Sequence, residues 1–156
     1  MATGSLTLPS SAIARERANE DCPGYPSDVG RVTPVLKHGS FVFCSTNDVY
    51  LAEQARPSAL SWFQEDEGTA MILELDVAAS FGFDTTMQMS RIVLEVFSVL
   101  DGVGLTAAVS TALAGDKIPC NMVSAYHHDN VFVPVDMADR AMHLLRSLQA
   151  AAQNKE

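Results

Sequence analysis

The sequence predicts an α+β fold of the ferredoxin-like kind, β-α-β-β-α, and three patterns in its C-terminal half predict it. Ile92, Leu94 and Val96 alternate with Arg91, Val93 and Glu95, which is the period of a strand with one wetter face. Leu105, Ala108, Val109, Ala112 and Leu113 then recur at helical spacing, with Gly115 placed as a C-terminal cap. Ile118–Ala125 and Val131–Val135 read as an antiparallel hairpin around a polar tip of Tyr126, His127, His128, Asp129 and Asn130. Asp136 follows as the cap of a last helix, whose stripe is Met137, Ala141, Leu144, Leu145 and Leu148. Two such helices bury their stripes on one face of an antiparallel sheet.

The first half repeats this order more loosely. Residues 1 to about 30 are rich in Ser, Pro, Gly and charge, and read as an arm that is ordered only where it docks. Structure is expected after Pro34, beginning with a short β-rich run at Phe41–Ser45. Tyr50–Ala55 reads as helical until Pro57 stops it. Ala59–Phe63 alternates like a strand, Glu65–Gly68 is a solvated turn, and Thr69–Leu75 is a strand with Met71, Leu73 and Leu75 on one face. Asp76 is placed to cap a short helix that Gly82 ends. The echo between the halves suggests an internal duplication.

Bulk properties exclude several classes of function. The chain has 156 residues, 10 Lys+Arg against 19 Asp+Glu, and a formal net charge of -9. No Lys/Arg run interrupts this balance, so there is no footprint for nucleic acid, and an acidic surface disfavours anionic membranes. No apolar run approaches the roughly 20 residues needed to span a bilayer. Cys22, Cys44 and Cys120 are scattered and odd in number, which suits a reducing compartment better than a disulfide framework or a zinc site. The first residues lack the apolar core of a secretory signal. These features together read as a cytoplasmic protein that needs no cofactor.

The run V-G-L-T-A-A-V at 103–109 and the run I-P-C-N-M-V-S-A-Y-H-H-D-N-V-F-V-P at 118–134 closely resemble a family of small proteins with two tandem ACT-like domains. The resemblance covers roughly residues 34–150 and is strongest from Val103 to Pro134. Asn130 departs from it, standing where relatives often carry a second histidine, and so does Asp116-Lys117, where a glycine is common. The resemblance implies an arm at 1–33, a first ACT-like subdomain at 34–88 and a second at 89–152. It also implies a regulatory module that binds an amino-acid-like molecule between paired domains. By similarity to the ACT domains of the cytosolic arginine sensor, Asp101, Gly102, Val103, Gly104, Leu105, Ala125, Tyr126 and Asp129 would hold that ligand.

The residues themselves support parts of this reading. Asp101–Leu105 is a turn with two glycines that opens a helix, and bare N–H groups there suit a carboxylate. Without a ligand, the same glycines serve a tight turn that needs positive φ. At the hairpin tip, Asp129 and Asn130 can make turn hydrogen bonds, or Asp129 can accept a ligand ammonium or guanidinium with Tyr126 packed on it. Adjacent strand residues face opposite sides, so His127 and His128 do not share one metal, and no metal is expected. Two further readings stay open. One is a small cofactor-free cyclase, isomerase or lyase using His127, His128 and Asp129 for proton transfer. The other is an interaction module that meets a second copy or a regulated partner through sheet edges or helix faces.

Overall fold

The computed structural model describes residues 30–95 and 104–153. The chain enters at Gly30, whose carbonyl accepts from Gln153 Nε2 at 2.8 Å. It then forms β1 (Thr33–Leu36) and β2 (Phe41–Thr46). Asp48 caps α1 (Val49–Ala55), its carboxylate accepting from the N–H groups of Tyr50 and Leu51 at 2.9 and 3.2 Å. A short turn at Arg56–Ser58 leads to β3 (Ser61–Glu65), β4 (Gly68–Glu74) and α2 (Leu75–Ser80). The second half comprises β5 (Met89–Glu95), α3 (Leu105–Gly115), β6 (Asn121–Ser124), β7 (Asp129–Pro134) and α4 (Ala138–Gln153).

The seven strands form one antiparallel sheet in the order β3-β4-β2-β5-β7-β6, with β1 also on β5. Each half places its first and third strands side by side and its second strand outside, giving β2-β4-β3 and β5-β7-β6. In the second half the outer edge of β5 is filled by β1, in the register Thr33↔Glu95 to Leu36↔Ile92. The corresponding edge of β2 meets β5 only at Phe41↔Met89. β1 therefore belongs to the first half in sequence and completes the second in space.

Three clusters hold this arrangement. Ile92, Leu94, Val131 and Val133 of the sheet pack with Leu105, Val109 and Leu113 of α3 and Ala141, Met142 and Leu145 of α4, so both helices cover one sheet face. Val42, Met71 and Leu73 pack in the same way with Ala55 of α1 and Ala78 of α2. Alternation turns the other residues of these strands away from the helices. There Phe41, Ile72, Met89 and Phe132 form a third cluster that joins the two halves. Phe132 meets Phe41 and Phe43 edge to face, with centroids 5.8 and 5.2 Å apart.

The element order agrees with the sequence reading, and several boundaries differ. β1 has no counterpart in that reading; Pro34 lies within it, as an edge strand permits. β3 begins two residues later than the alternation suggests, at Ser61. Leu75 starts α2 and does not end the preceding strand. Asp76 is not the cap of α2; Glu74 holds that position and Asp76 lies in the first turn, where its charge suits the helix dipole. Gly115 is the last residue of α3, and the left-handed residue is Lys117, at φ 57°. The buried Ile118, whose N–H donates to the Leu113 carbonyl at 2.9 Å, draws the chain back under the helix and moves the closure there. Asp136 lies inside a 3-10 turn, Val135–Met137, and the α-helix begins only at Ala138. Val96 and residues 1–29 lie outside the described residues.

Two measurements test this packing. Leu113 and Leu145 are both buried between helix and sheet, so each change to Ala should lower the unfolding free energy by about 2–5 kcal/mol in chemical denaturation. Cys44 donates to the Met71 carbonyl at 3.6 Å, and burial pushes its thiol up to about 11. In the unfolded chain the thiol ionises at a lower pH, so stability is lost as pH rises through this window. Between pH ~9 and ~11 the native protein should lose stability relative to Cys44→Ala, and a pair of pH-dependent melts measures the difference.

Candidate functional site

The polar end of the second half is built on the ladder between β5 and β7. β5 runs to Glu95, and its residue Leu94 lies opposite Asp129, the first residue of β7. Asp129 is also paired with Ser124 of β6, so its backbone is held from both sides. The hairpin tip is narrower than the sequence suggests. Asp129 and Asn130 belong to the strand, the reversal spans Ala125–His128, and the Ala125 N–H donates to the His128 carbonyl at 3.1 Å.

At the tip, Tyr126 is 74% exposed and its ring meets His127 edge to face at 4.9 Å. His127 and His128 have ring centroids 6.3 Å apart, and both are exposed. Asp129 is half-buried, and among the described residues it makes no salt bridge. Among these residues no three His, Cys, Asp or Glu side chains gather in a metal-binding group.

The helix end of the candidate site is Gly104, the N-cap of α3, at φ 100° and ψ -18°. Among the described residues a Cβ there would meet nothing within 4 Å, and the left-handed backbone is what favours glycine. The Gly104 carbonyl accepts from the Ala108 N–H at 2.9 Å and closes the first turn. Leu105 is 7% exposed and packs in the core, which leaves its N–H as the group that can serve a ligand. Asp101, Gly102 and Val103 lie outside the described residues.

Asn130 has a larger structural part than the turn role read from the sequence. It is buried, and its Nδ2 donates to the Val123 carbonyl at 3.1 Å and the His128 carbonyl at 3.4 Å. Its Oδ1 accepts from Arg91 Nε at 2.9 Å. One amide thus ties the hairpin tip to the central strand. Burial lowers the Arg91 guanidinium from its ordinary value, although an arginine keeps its charge at neutral pH. A polar residue between Asp129 and a run of apolar strand residues was the available signal for this link. Its partner 39 positions away was not legible.

A tandem β-α-β-β-α sheet with its helices packed on one face defines the ferredoxin-like class of domains. Two ACT-domain family models match the chain, one over residues 29–90 and the other over residues 73–147. A solved protein of unknown function from Vibrio cholerae, described as a possible transport protein, is 33% identical, with a TM-score of 0.69 over 78% of this chain and 92% of that one. The chain belongs to the ACT-domain family. A protein from Agrobacterium tumefaciens shares the fold at 16% identity and a TM-score of 0.59, over 76% of this chain and 90% of that one. The regulatory subunit of aspartate kinase from Thermus thermophilus does so at 10% identity and a TM-score of 0.55, over 76% and 97%. No curated protein matches the sequence. No described helix is long and apolar enough to cross a membrane.

Replacing Asn130 by Ala leaves two carbonyls and the Arg91 Nε without their partner. The change should cost about 1–3 kcal/mol in chemical denaturation. The accompanying amide shifts in a nitrogen–proton correlation spectrum should centre on residues 91, 123 and 128.

Proposed function

We propose that this protein is a regulatory module that binds a small amino-acid-like molecule in the cytoplasm, where the turn entering α3 approaches the β6–β7 tip. The observation that carries this reading is the register Leu94↔Asp129. β5 is described as far as Glu95, one residue beyond the level of Asp129, and Gly104 is the N-cap of α3. We take both turns to lie at one end of the sheet. In this reading the N–H groups of the first turn of α3 receive a carboxylate. Asp129, half-buried and anchored on both sides, receives the ammonium or guanidinium. Tyr126 and Ala125 close over the aliphatic part. Asp101, Gly102 and Val103 would complete the turn. The likeness to aspartate kinase regulatory subunits supports a regulatory use of such a site, exerted through a second copy or a regulated partner. We take the two repeats as residues 34–88 and 89–152, with β1 lent to the second.

A thermal-shift screen against the proteinogenic amino acids tests the proposal. A true ligand at a hundredfold excess over its Kd should stabilise the protein by about 2.7 kcal/mol. Asp129→Ala should weaken binding by about 1.5–3 kcal/mol, as expected for losing a hydrogen bond to a charged group. Gly104→Val should remove binding, because a branched residue resists a φ of 100° and shifts the turn. A ligand whose affinity by calorimetry ignores both substitutions would place the site elsewhere.

A further inference from the structure

The face of the first half turned away from α1 and α2 carries a cleft of about 310 Å³. Its geometry follows from the strand registers. Phe43 of β2 lies opposite Ile72 of β4, and Ser45 opposite Ala70. Phe63 of β3 lies opposite Ala70 from the other side, and Glu65 opposite Gly68. Small residues thus occupy the middle of this face at Ala70 and Gly68, while two phenyl rings stand on diagonal corners. Gly68 cannot be enlarged, since a Cβ there would collide with the Thr46 carbonyl. The result is a hollow over Ala70 with Ile72, 2% exposed, beneath one side. Phe43 and Phe63 form walls that are 42% and 54% exposed. The Phe43 wall is preorganised by its edge-to-face contact with Phe132 across the join between the halves. Its volume lies at the lower end of the range for small-molecule sites.

The rim sets the charge of an occupant. Glu65 is the charged residue among those lining the cleft, and none of them is basic. Among the described residues the Glu65 carboxylate has no salt-bridge partner. The chain as a whole carries -9, which favours the approach of cations. Trp62, the neighbouring aromatic of β3, points to the opposite face, where Arg56 lies 4.8 Å from its ring centroid, and takes no part.

We infer that this cleft is a second binding site, and that it takes a small amine with a flat apolar body and no carboxylate. The ring lies on Ala70 between Phe43 and Phe63, and the ammonium donates to Glu65. The site is separate from the one proposed at Gly104 and Asp129, which is matched to a zwitterion. A free carboxylate has no cationic partner among the residues that line the cleft, so an aromatic amine binds here in preference to the corresponding amino acid.

Calorimetry on the full chain with 2-phenylethylamine, 3-phenylpropionate, phenylalanine and butylamine tests the inference. Saturable binding of 2-phenylethylamine is expected, with the other three at least about tenfold weaker because each lacks the ring or has the wrong charge. Glu65→Gln should lower the affinity for 2-phenylethylamine about tenfold, and Ala70→Phe should abolish binding by filling the hollow. Should Ala70→Phe fail to fold, Ser45→Phe blocks the same space from an exposed rim position. Asp129→Ala should leave amine binding unchanged, which separates this site from the first. Equal affinity for 3-phenylpropionate, indifference to both blocking variants, or no saturable binding at millimolar 2-phenylethylamine would overturn the assignment. So would light scattering that shows a dimer disrupted by Ser45→Phe without any amine binding, since the cleft would then belong to a second copy.

Discussion

The structure depends on the ladder made by β5. One edge of this strand is bonded to β7 from Met89 to Leu94, and the other to β1 from Ile92 to Glu95. At Met89 the second edge passes to β2, through the single pair with Phe41. Its two faces are covered as well: Ile92 and Leu94 lie beneath α3 and α4, while Met89 joins the aromatic cluster on the far side. A strand paired along both edges and largely covered on both faces adapts poorly to any change in neighbour. The two halves are joined at such a strand, so the join is part of the core.

The same β-α-β-β-α plan is put to different use in the two halves. In the second half the outer edge is completed by β1, and the polar chemistry is concentrated at the strand ends, around Asp129 and Gly104. In the first half the strand ends are ordinary turns, and the notable surface is the sheet face itself. Ala70 and Gly68 stand there between Phe43 and Phe63. The corresponding face of β7 carries the larger Phe132 and Asn130, both buried. Side-chain volume on a shared backbone plan accounts for the contrast.

Asn130 shows how a buried amide stabilises the polar end. A buried amide between Arg91, Val123 and His128 satisfies two carbonyls and one guanidinium N–H at once. Such a network is worth more than its separate bonds in a low-dielectric setting, because each broken bond strands a buried partner. It fixes the hairpin tip relative to β5, and therefore the position of Asp129 relative to the strand that leads towards α3.

By itself the sequence determined the elements of the second half and the direction in which their side chains face. Local periodicity is a direct record of facing, which is why the alternation at 91–95 and the stripes of α3 and α4 were legible, as were the glycine-opened helix and the polar tip. Exact ends were not, because Lys117 and the turn at Val135–Met137 answer to the burial of Ile118 and Ala138 and not to local preference. Only the tertiary structure decided that Thr33–Leu36 pairs with β5, that Arg91 reaches Asn130, and that Phe43, Ala70 and Phe63 share one hollow. Each of these is a choice of partner across a large separation in the chain. A strand's pattern states which face is buried, but its open edge accepts any strand of matching register; packing of the whole sheet selects among them.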